Sequence, residues 1–276
     1  MTGEKNHYRK LFDLSGRVAV VTGGAGLLGK YFCAALADHG ASVAVADLDP
    51  AATASFAREL EDHFGTKCIG VAGDITDGVV IEGMVDRIER ELGPIEILHN
   101  NAQANRSQPE RYFTPLEEFE LEIWRSVMAV NLDAAFLVAR AVGTRMAAHG
   151  RGSIIQTSSI YGVVGPDQRI YEGSEYLGRP INTPPVYSAS KAGIIGLTRH
   201  LATYWGHRGV RVNTLTPGGV SSGQNEVFDR RYSARVPMNR MAKADEITGA
   251  LVFLASDASS YVTGQNIIVD GGLAAW

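Results

Sequence analysis

The chain has 276 residues, 45% apolar and 20% charged, enough for one large α/β domain or two small ones. Lysine and arginine (26) nearly match aspartate and glutamate (30), for a formal charge of -4. Composition therefore forces no basic face, and no nucleic-acid partner is expected.

The N-terminal stretch MTGEKNHYRKLFDLSG is polar and lacks the apolar centre of a signal peptide. No apolar run is read as long enough to span a bilayer, so a cytoplasmic protein without membrane contact is expected. Cys33 and Cys68 are the two cysteines, with no CxxC and no histidine cluster nearby. They fit a reducing compartment without disulfides, and no metal site is expected.

After an arm over residues 1–14, apolar strand-like runs alternate with helical patterns. Val18–Val21 is β-branched and ends in a Gly-rich turn. Leu27–His39 then sets Leu28, Phe32, Ala35 and Leu36 on one helical face, and Gly40 stops it. Strands are expected at Ser42–Ala46, Cys68–Val71, Ile95–Leu98, Ser153–Gln156, Val210–Leu215 and Asn266–Val269. Helices are expected from Pro50 to about Phe64, from Gly78 to Glu91, and over Leu116–His149 with a break near Trp124. Two more follow at Val186–His207 and Ala244–Ser256. Nearly continuous apolar strands alternating with helices imply a doubly wound parallel sheet covered by helices on both faces, within one domain. Two irregular stretches, Gln103–Leu116 and Val163–Pro185, follow strand ends, where open α/β sheets bind ligands.

The turn Thr22-Gly23-Gly24-Ala25-Gly26-Leu27-Leu28-Gly29 joins a strand to a helix. Its glycines let the backbone approach a pyrophosphate, and the helix N-terminus behind them offers free N–H groups. Asp47 closes the next strand, where a carboxylate can accept the adenosine ribose hydroxyls and repel a 2′-phosphate. With no Arg or Lys in the turn or beside Asp47, NAD is favoured over NADP. Asp49, directly before Pro50, suits a helix cap better than Asp47 does.

Tyr187 and Lys191 open a helix one turn apart on the same face. A phenol of pKa about 10 is a poor base at neutral pH, and bringing it near 7 takes roughly 4 kcal/mol. A neighbouring ammonium acts in that direction. Alone, such a pair is common on helix surfaces. Here Ser153–Ser159 and Asn100-Asn101-Ala102 add polar groups at the ligand edge of the sheet. Asn131 sits inside a helix, where asparagine is unfavourable without a partner. It is either a site residue or a satisfied buried amide.

Together these segments, with Gly73–Thr76, Pro217-Gly218 and Val269–Gly272, resemble the short-chain dehydrogenase/reductase family in its compact single-domain form, over roughly Leu14–Gly272. The resemblance implies a Rossmann-type fold and catalysis by Asn131, Ser159, Tyr187 and Lys191. Tyr187 would pass the proton and Ser159, rather than Ser158, would bond the substrate oxygen. Lys191 would hold the nicotinamide ribose and Asn131 would position a water. Gly23, Gly26, Leu27, Leu28, Asp47, Asp74, Ile75, Asn101, Ala102, Pro217, Gly218, Val220 and Ser222 would lie against the cofactor, with Tyr187 and Lys191. It further implies a homotetramer or homodimer through the helix starting at Val186 and the C-terminal region; the stripe Ile194, Leu197, Leu201 and Tyr204 of that helix serves an interface or the core.

Three features depart from the family pattern. Compact members usually carry glycine at the position of Leu27, so Gly26 is expected to supply the clearance. Gln103 replaces a usual glycine and either reaches the ligand or points to solvent. The gap between Ser159 and Tyr187 is longer than usual. Its polar stretch, residues 163–186, is either a lid suited to a hydroxyl-rich substrate or a solvated surface loop.

The run from Ile160 to Tyr187 also resembles members associated with bacterial surface-sugar biosynthesis. A sugar or polyol substrate is therefore expected, with Gln103, Arg106, Tyr161, Arg169 and Tyr171 as candidate contacts. The alternatives are a 3-oxoacyl-thioester or other ketone reductase, an NAD-dependent epimerase or dehydratase, and a silent NAD-binding protein.

Overall fold

A computed structural model describes residues 6–104, 108–176 and 178–276. Among the described residues nine strands occur in chain order: β1 (Val18–Thr22), β2 (Ser42–Asp47), β3 (Cys68–Ala72), β4 (Ile95–Asn100), β5 (Gly152–Thr157), β6 (Glu175–Tyr176), β7 (Arg179–Pro180), β8 (Val210–Pro217) and β9 (Asn266–Val269). Seven form one sheet in the order β3-β2-β1-β4-β5-β8-β9, with every neighbouring pair parallel. The pair β6–β7 is a separate antiparallel hairpin. Chain direction across the sheet reverses between β1 and β4, which opens a crevice at their C-terminal ends.

The helices are α1 (His7–Lys10), α2 (Leu27–Asp38), α3 (Pro50–Phe64), α4 (Gly78–Leu92), α5 (Pro109–Tyr112), α6 (Leu121–Met128), α7 (Ala134–His149), α8 (Pro185–Trp205), α9 (Glu226–Ser233) and α10 (Thr248–Ala255). Strand side chains alternate between two apolar layers. Val18, Val20, Ala44, Leu98 and Ile154 pack with Val85, Val142, Leu201 and Trp205 from α4, α7 and α8. Ala19, Val21, Val45, Ile97 and Ile155 pack with Phe32, Leu36, Leu60 and Leu251 from α2, α3 and α10. Both faces are thus dry, which is why the strands carry unbroken apolar runs.

The doubly wound sheet agrees with the sequence reading, and the differences are local. The helix expected from Leu116 starts at Leu121 and is continuous through Trp124; a π turn, Ala129–Asp133, joins α6 to α7. This stretch, Leu121–His149, is also long and apolar enough to cross a bilayer, with a window of mean hydropathy 1.4, against the expectation that no such run exists. Half of that window is buried inside the protein, the position of a core helix. Ile194 and Leu201 of the α8 stripe are buried in the protein's own core, whereas Tyr204 is exposed. The arm is docked at its end: Leu14 is fully buried and the Leu11 carbonyl accepts from the Ala258 N–H. Both irregular stretches hold short elements, α5 in the first and a 3₁₀ turn at Gln168–Tyr171 with the β6–β7 hairpin in the second. Helix α9 went unexpected, although Asn225 caps it and Phe228 and Tyr232 stand one turn apart on it.

Candidate active site

A cavity of about 470 Å³ follows the crevice at the strand ends. Its floor begins where β1 runs into Gly23, whose φ of +64° suits glycine. A Cβ there would stand 3.0 Å from Ala102 Cα. Gly29 is needed for a different reason: its Cβ would fall 2.0 Å from the Gly23 carbonyl oxygen, so only glycine lets α2 pack on the turn. Gly26 caps α2 without a side-chain bond, leaving first-turn N–H groups for a ligand. The clearance within the protein therefore comes from Gly23 and Gly29; Gly26 and the exposed Leu27 border the open side.

Asp47 ends β2 beside this turn. Its Oδ2 accepts from the Ala25 N–H at 3.1 Å and its Oδ1 from the Leu48 N–H at 2.8 Å, which locks the carboxylate at the cavity wall. Asp49 caps α3 through Ala51 and Ala52, as its place before Pro50 suggested. Asp74 accepts from the Thr76 N–H and hydroxyl, which hold its carboxyl below the usual range.

The polar end of the cavity is built on β5 and α8. Lys191 is buried, and its Nζ donates to the Thr157 carbonyl at 3.1 Å and stands 6.0 Å from the Tyr187 ring centre. Burial pushes its pKa down to about 8. Both Ser158 and Ser159 line the cavity, and Ser158 Oγ donates to the Lys191 carbonyl at 2.7 Å, which commits its proton to structure. Ser159 Oγ accepts a long bond from the Tyr161 N–H, 3.3 Å. Gly162 lets this turn lie on α8, since a Cβ would come within 2.7 Å of the Lys191 backbone. Beneath, the His99 Nε2 lies 2.8 Å from Thr157 Oγ1. Burial pushes the His99 pKa down to about 3.

Asn131 lies behind the cavity wall in the π turn, with Val130 at the surface. Its Oδ1 accepts from the Ala104 N–H at 2.7 Å, and its Nδ2 donates to Ser190 Oγ at 3.1 Å. The amide is thus satisfied and also fastens the strand-end segment of β4 to α8.

A second cavity of about 360 Å³ continues from the first. Ser159, Tyr187, Gly218 and Val220 line both. Tyr161 and Tyr171 line the second, as does Ser222, which stands there and not in the first cavity as expected. Gln103 faces the first. Arg169 lines neither: it is 83% exposed and forks onto Asp167 at 2.8 and 2.9 Å, so its expected substrate contact is withdrawn. Arg106 lies outside the described residues. Every other residue expected against the cofactor lines the first cavity. The second cavity adds Phe113, Asn182, Thr183, Phe228 and Tyr232, which sequence alone did not single out. Tertiary folding brings them in from two loops and helix α9. Only the α9 pair Phe228 and Tyr232 left a readable signal.

The cavity residues fit a dinucleotide cofactor: a glycine-lined cradle at a helix N-terminus, an acid at the end of β2, and a buried lysine at the far end. The second cavity leaves room for a small polar molecule beside Tyr187 and Ser159.

Comparison with known proteins follows the same lines. A family model described as Enoyl-(Acyl carrier protein) reductase matches residues 25–274. The chain is 36% identical over 266 residues to a D-threitol dehydrogenase of Mycolicibacterium smegmatis, covering 95% of this chain and 94% of that one. It is 36% identical over 270 residues to a gluconate 5-dehydrogenase of Gluconobacter oxydans, covering 95% and 96%. Among solved structures it resembles a gluconate 5-dehydrogenase from Burkholderia cenocepacia J2315 in complex with NADP and tartrate. That match has a TM-score of 0.84 and 32% identity, and covers 98% of this chain and all of the other.

Proposed function

Because the chain belongs to the short-chain dehydrogenase/reductase family, we propose that it interconverts a secondary alcohol and a ketone on a polyol or sugar-type substrate, using NAD. The observation that carries this reading is that Tyr187 and Ser159 stand where the two cavities meet. A cofactor in one and an alcohol in the other would share the same phenol. The whole chain acts as one cofactor-binding domain, with residues 163–186 as a loop over the substrate.

The bound nicotinamide supplies a hydride acceptor or donor. The chain's own residues do the rest. The N–H groups at the start of α2 hold the pyrophosphate. Asp47 keeps lone pairs free for the ribose hydroxyls, and its charge opposes a 2′-phosphate. Asp74 and Ile75 flank the adenine, Asn101 and Ala102 the ribose, and Pro217, Gly218 and Val220 the carboxamide end. Lys191 binds ribose hydroxyls, and its ammonium favours the Tyr187 phenolate. In the oxidative direction Tyr187 takes the hydroxyl proton while Ser159 donates to the developing alkoxide. Asn131 acts by positioning α8 and the segment after β4. A homotetramer or homodimer is the proposed assembly, which the mass in solution would check.

The test is a screen for NADH formation over threitol, galactitol, gluconate and related polyols, with Tyr187→Phe as control. Full turnover in Tyr187→Phe would sink the mechanism. A large preference for NADP would sink the role of Asp47, a pointed question because the Burkholderia relative was solved with NADP. A second reading, reduction of a 3-oxoacyl thioester, is favoured by 33% identity over 264 residues to a 3-oxoacyl-[acyl-carrier-protein] reductase of Thermotoga maritima. Acetoacetyl thioester with NADH belongs in the same screen.

A further inference from the structure

We propose that a row of hydroxyls, Tyr161, Tyr171 and Thr183, reads a second, non-reacting hydroxyl of the substrate and so selects polyols over alcohols with a single oxygen function. The inference rests on the alcohol-oxidising reading of the site and adds the residues that choose the substrate.

Tyr171 Oη lies 2.6 Å from Thr183 Oγ1, and both residues line the second cavity with Tyr187 and Ser159. The row is held rigidly. The Gln168 side chain grips the Thr183 backbone from both directions, donating to its carbonyl at 2.8 Å and accepting from its N–H at 3.1 Å. Threonine is stiff at χ1, so a fixed backbone fixes its hydroxyl. The Tyr171 ring stacks on Phe228 at 5.3 Å between centres. Tyr161 is half-buried beside Tyr171, and burial pushes its phenol pKa up, so it remains a neutral hydroxyl.

Proton counting shows what the row has left to offer a ligand. Each hydroxyl carries one proton and two lone pairs. Either Tyr171 or Thr183 donates in their shared bond, so one of the two keeps its own proton for a further partner. Whichever way that bond points, the row, with the neutral Tyr161 phenol beside it, offers a hydroxyl-rich chain both a proton and lone pairs. A substrate without a second hydroxyl would cover these groups and leave them unpaired, and sites built this way discriminate strongly. Within this stretch Tyr171, Asn182 and Thr183 turn inward onto the cavity, whereas Arg169 and Glu172 stay in solvent.

The test compares threitol with 2-butanol, which has the same carbon count and one hydroxyl, for the wild type, Tyr171→Phe, Thr183→Val and Thr183→Ser. The quantity read is the ratio of kcat/KM for the two alcohols, with NADH binding by fluorescence as a check that each variant is folded. Tyr171→Phe and Thr183→Val should lower the ratio about tenfold, mainly through KM for threitol, the size of one lost hydrogen bond. Thr183→Ser should restore it. An unchanged ratio in folded variants, with threitol still oxidised, overturns the hydroxyl row alone. If the wild type oxidises no polyol but reduces acetoacetyl thioester, the parent reading fails and the row falls with it.

Discussion

Asn131 Nδ2 donates to Ser190 Oγ at 3.1 Å, and so pins the π turn between α6 and α7 to the helix that carries Tyr187 and Lys191. Ser190 Oγ in turn donates to the Tyr187 carbonyl at 3.0 Å. With Asn131 Oδ1 on the Ala104 N–H, one amide holds three segments in register. Asn131→Ala should therefore cost about 1–3 kcal/mol of stability, the penalty for stranding partly buried polar groups. Urea unfolding measures it, and an unchanged midpoint would show that the amide anchors nothing.

Gly29 makes a sharper prediction. A Cβ there stands 2.0 Å from the Gly23 carbonyl, so Gly29→Ala must displace the turn from α2. NADH affinity should fall by at least about tenfold, since a shift costing more than about 1.4 kcal/mol is enough. Far-UV circular dichroism should keep its helical signal. Wild-type affinity in Gly29→Ala would mean that the turn does not hold the cofactor.

The buried His99 couples stability to pH. It is held neutral with its pKa pushed down to about 3, whereas in the unfolded chain it titrates near its ordinary value of about 6.5. Between those values the unfolded chain binds a proton that the folded one refuses. Stability should thus fall as pH drops below about 6.5, by up to about 1.4 kcal/mol per pH unit from this one group. His99→Gln, which can still bond Thr157 but cannot titrate, should unfold in urea with a flatter dependence between pH 7 and 5. An equal slope would assign the acid sensitivity elsewhere.

Lys191 titrates from the other side. Burial lowers its pKa to about 8, so the ammonium is present at neutral pH and is lost as pH rises through that value. If that ammonium holds the cofactor, NADH affinity of the free enzyme should be steady up to about pH 7 and weaken above about pH 8. Lys191→Met should bind weakly with no break near pH 8. A flat wild-type profile to pH 9.5 would separate the lysine charge from binding.

Much of this site was legible beforehand because its chemistry sits where the chain changes conformation. Thr22–Gly29, Asp47 and Asn101 lie at strand ends, and in a parallel sheet every strand end after an apolar run reaches the same edge. Tyr187 and Lys191 share a helix face by spacing alone. Arg169 misled for a related reason: a polar residue in a loop over the pocket looked like a ligand, yet Asp167, two residues away, captures it at the surface. Local pairing of opposite charges outcompetes a distant, unfilled role.

Sequence periodicity and strand-end motifs thus determined the doubly wound sheet, the cofactor groove and the pairing of Tyr187 with Lys191. These depend on backbone geometry and on residues close together in the chain. Only the tertiary structure decided that the Ser158 hydroxyl is spent on the Lys191 carbonyl, that Asn131 reaches Ser190, and that Tyr161, Tyr171 and Thr183 face one cavity. Each of those outcomes turns on a hydrogen bond or packing contact between separately folded segments, and no local spacing encodes such a contact.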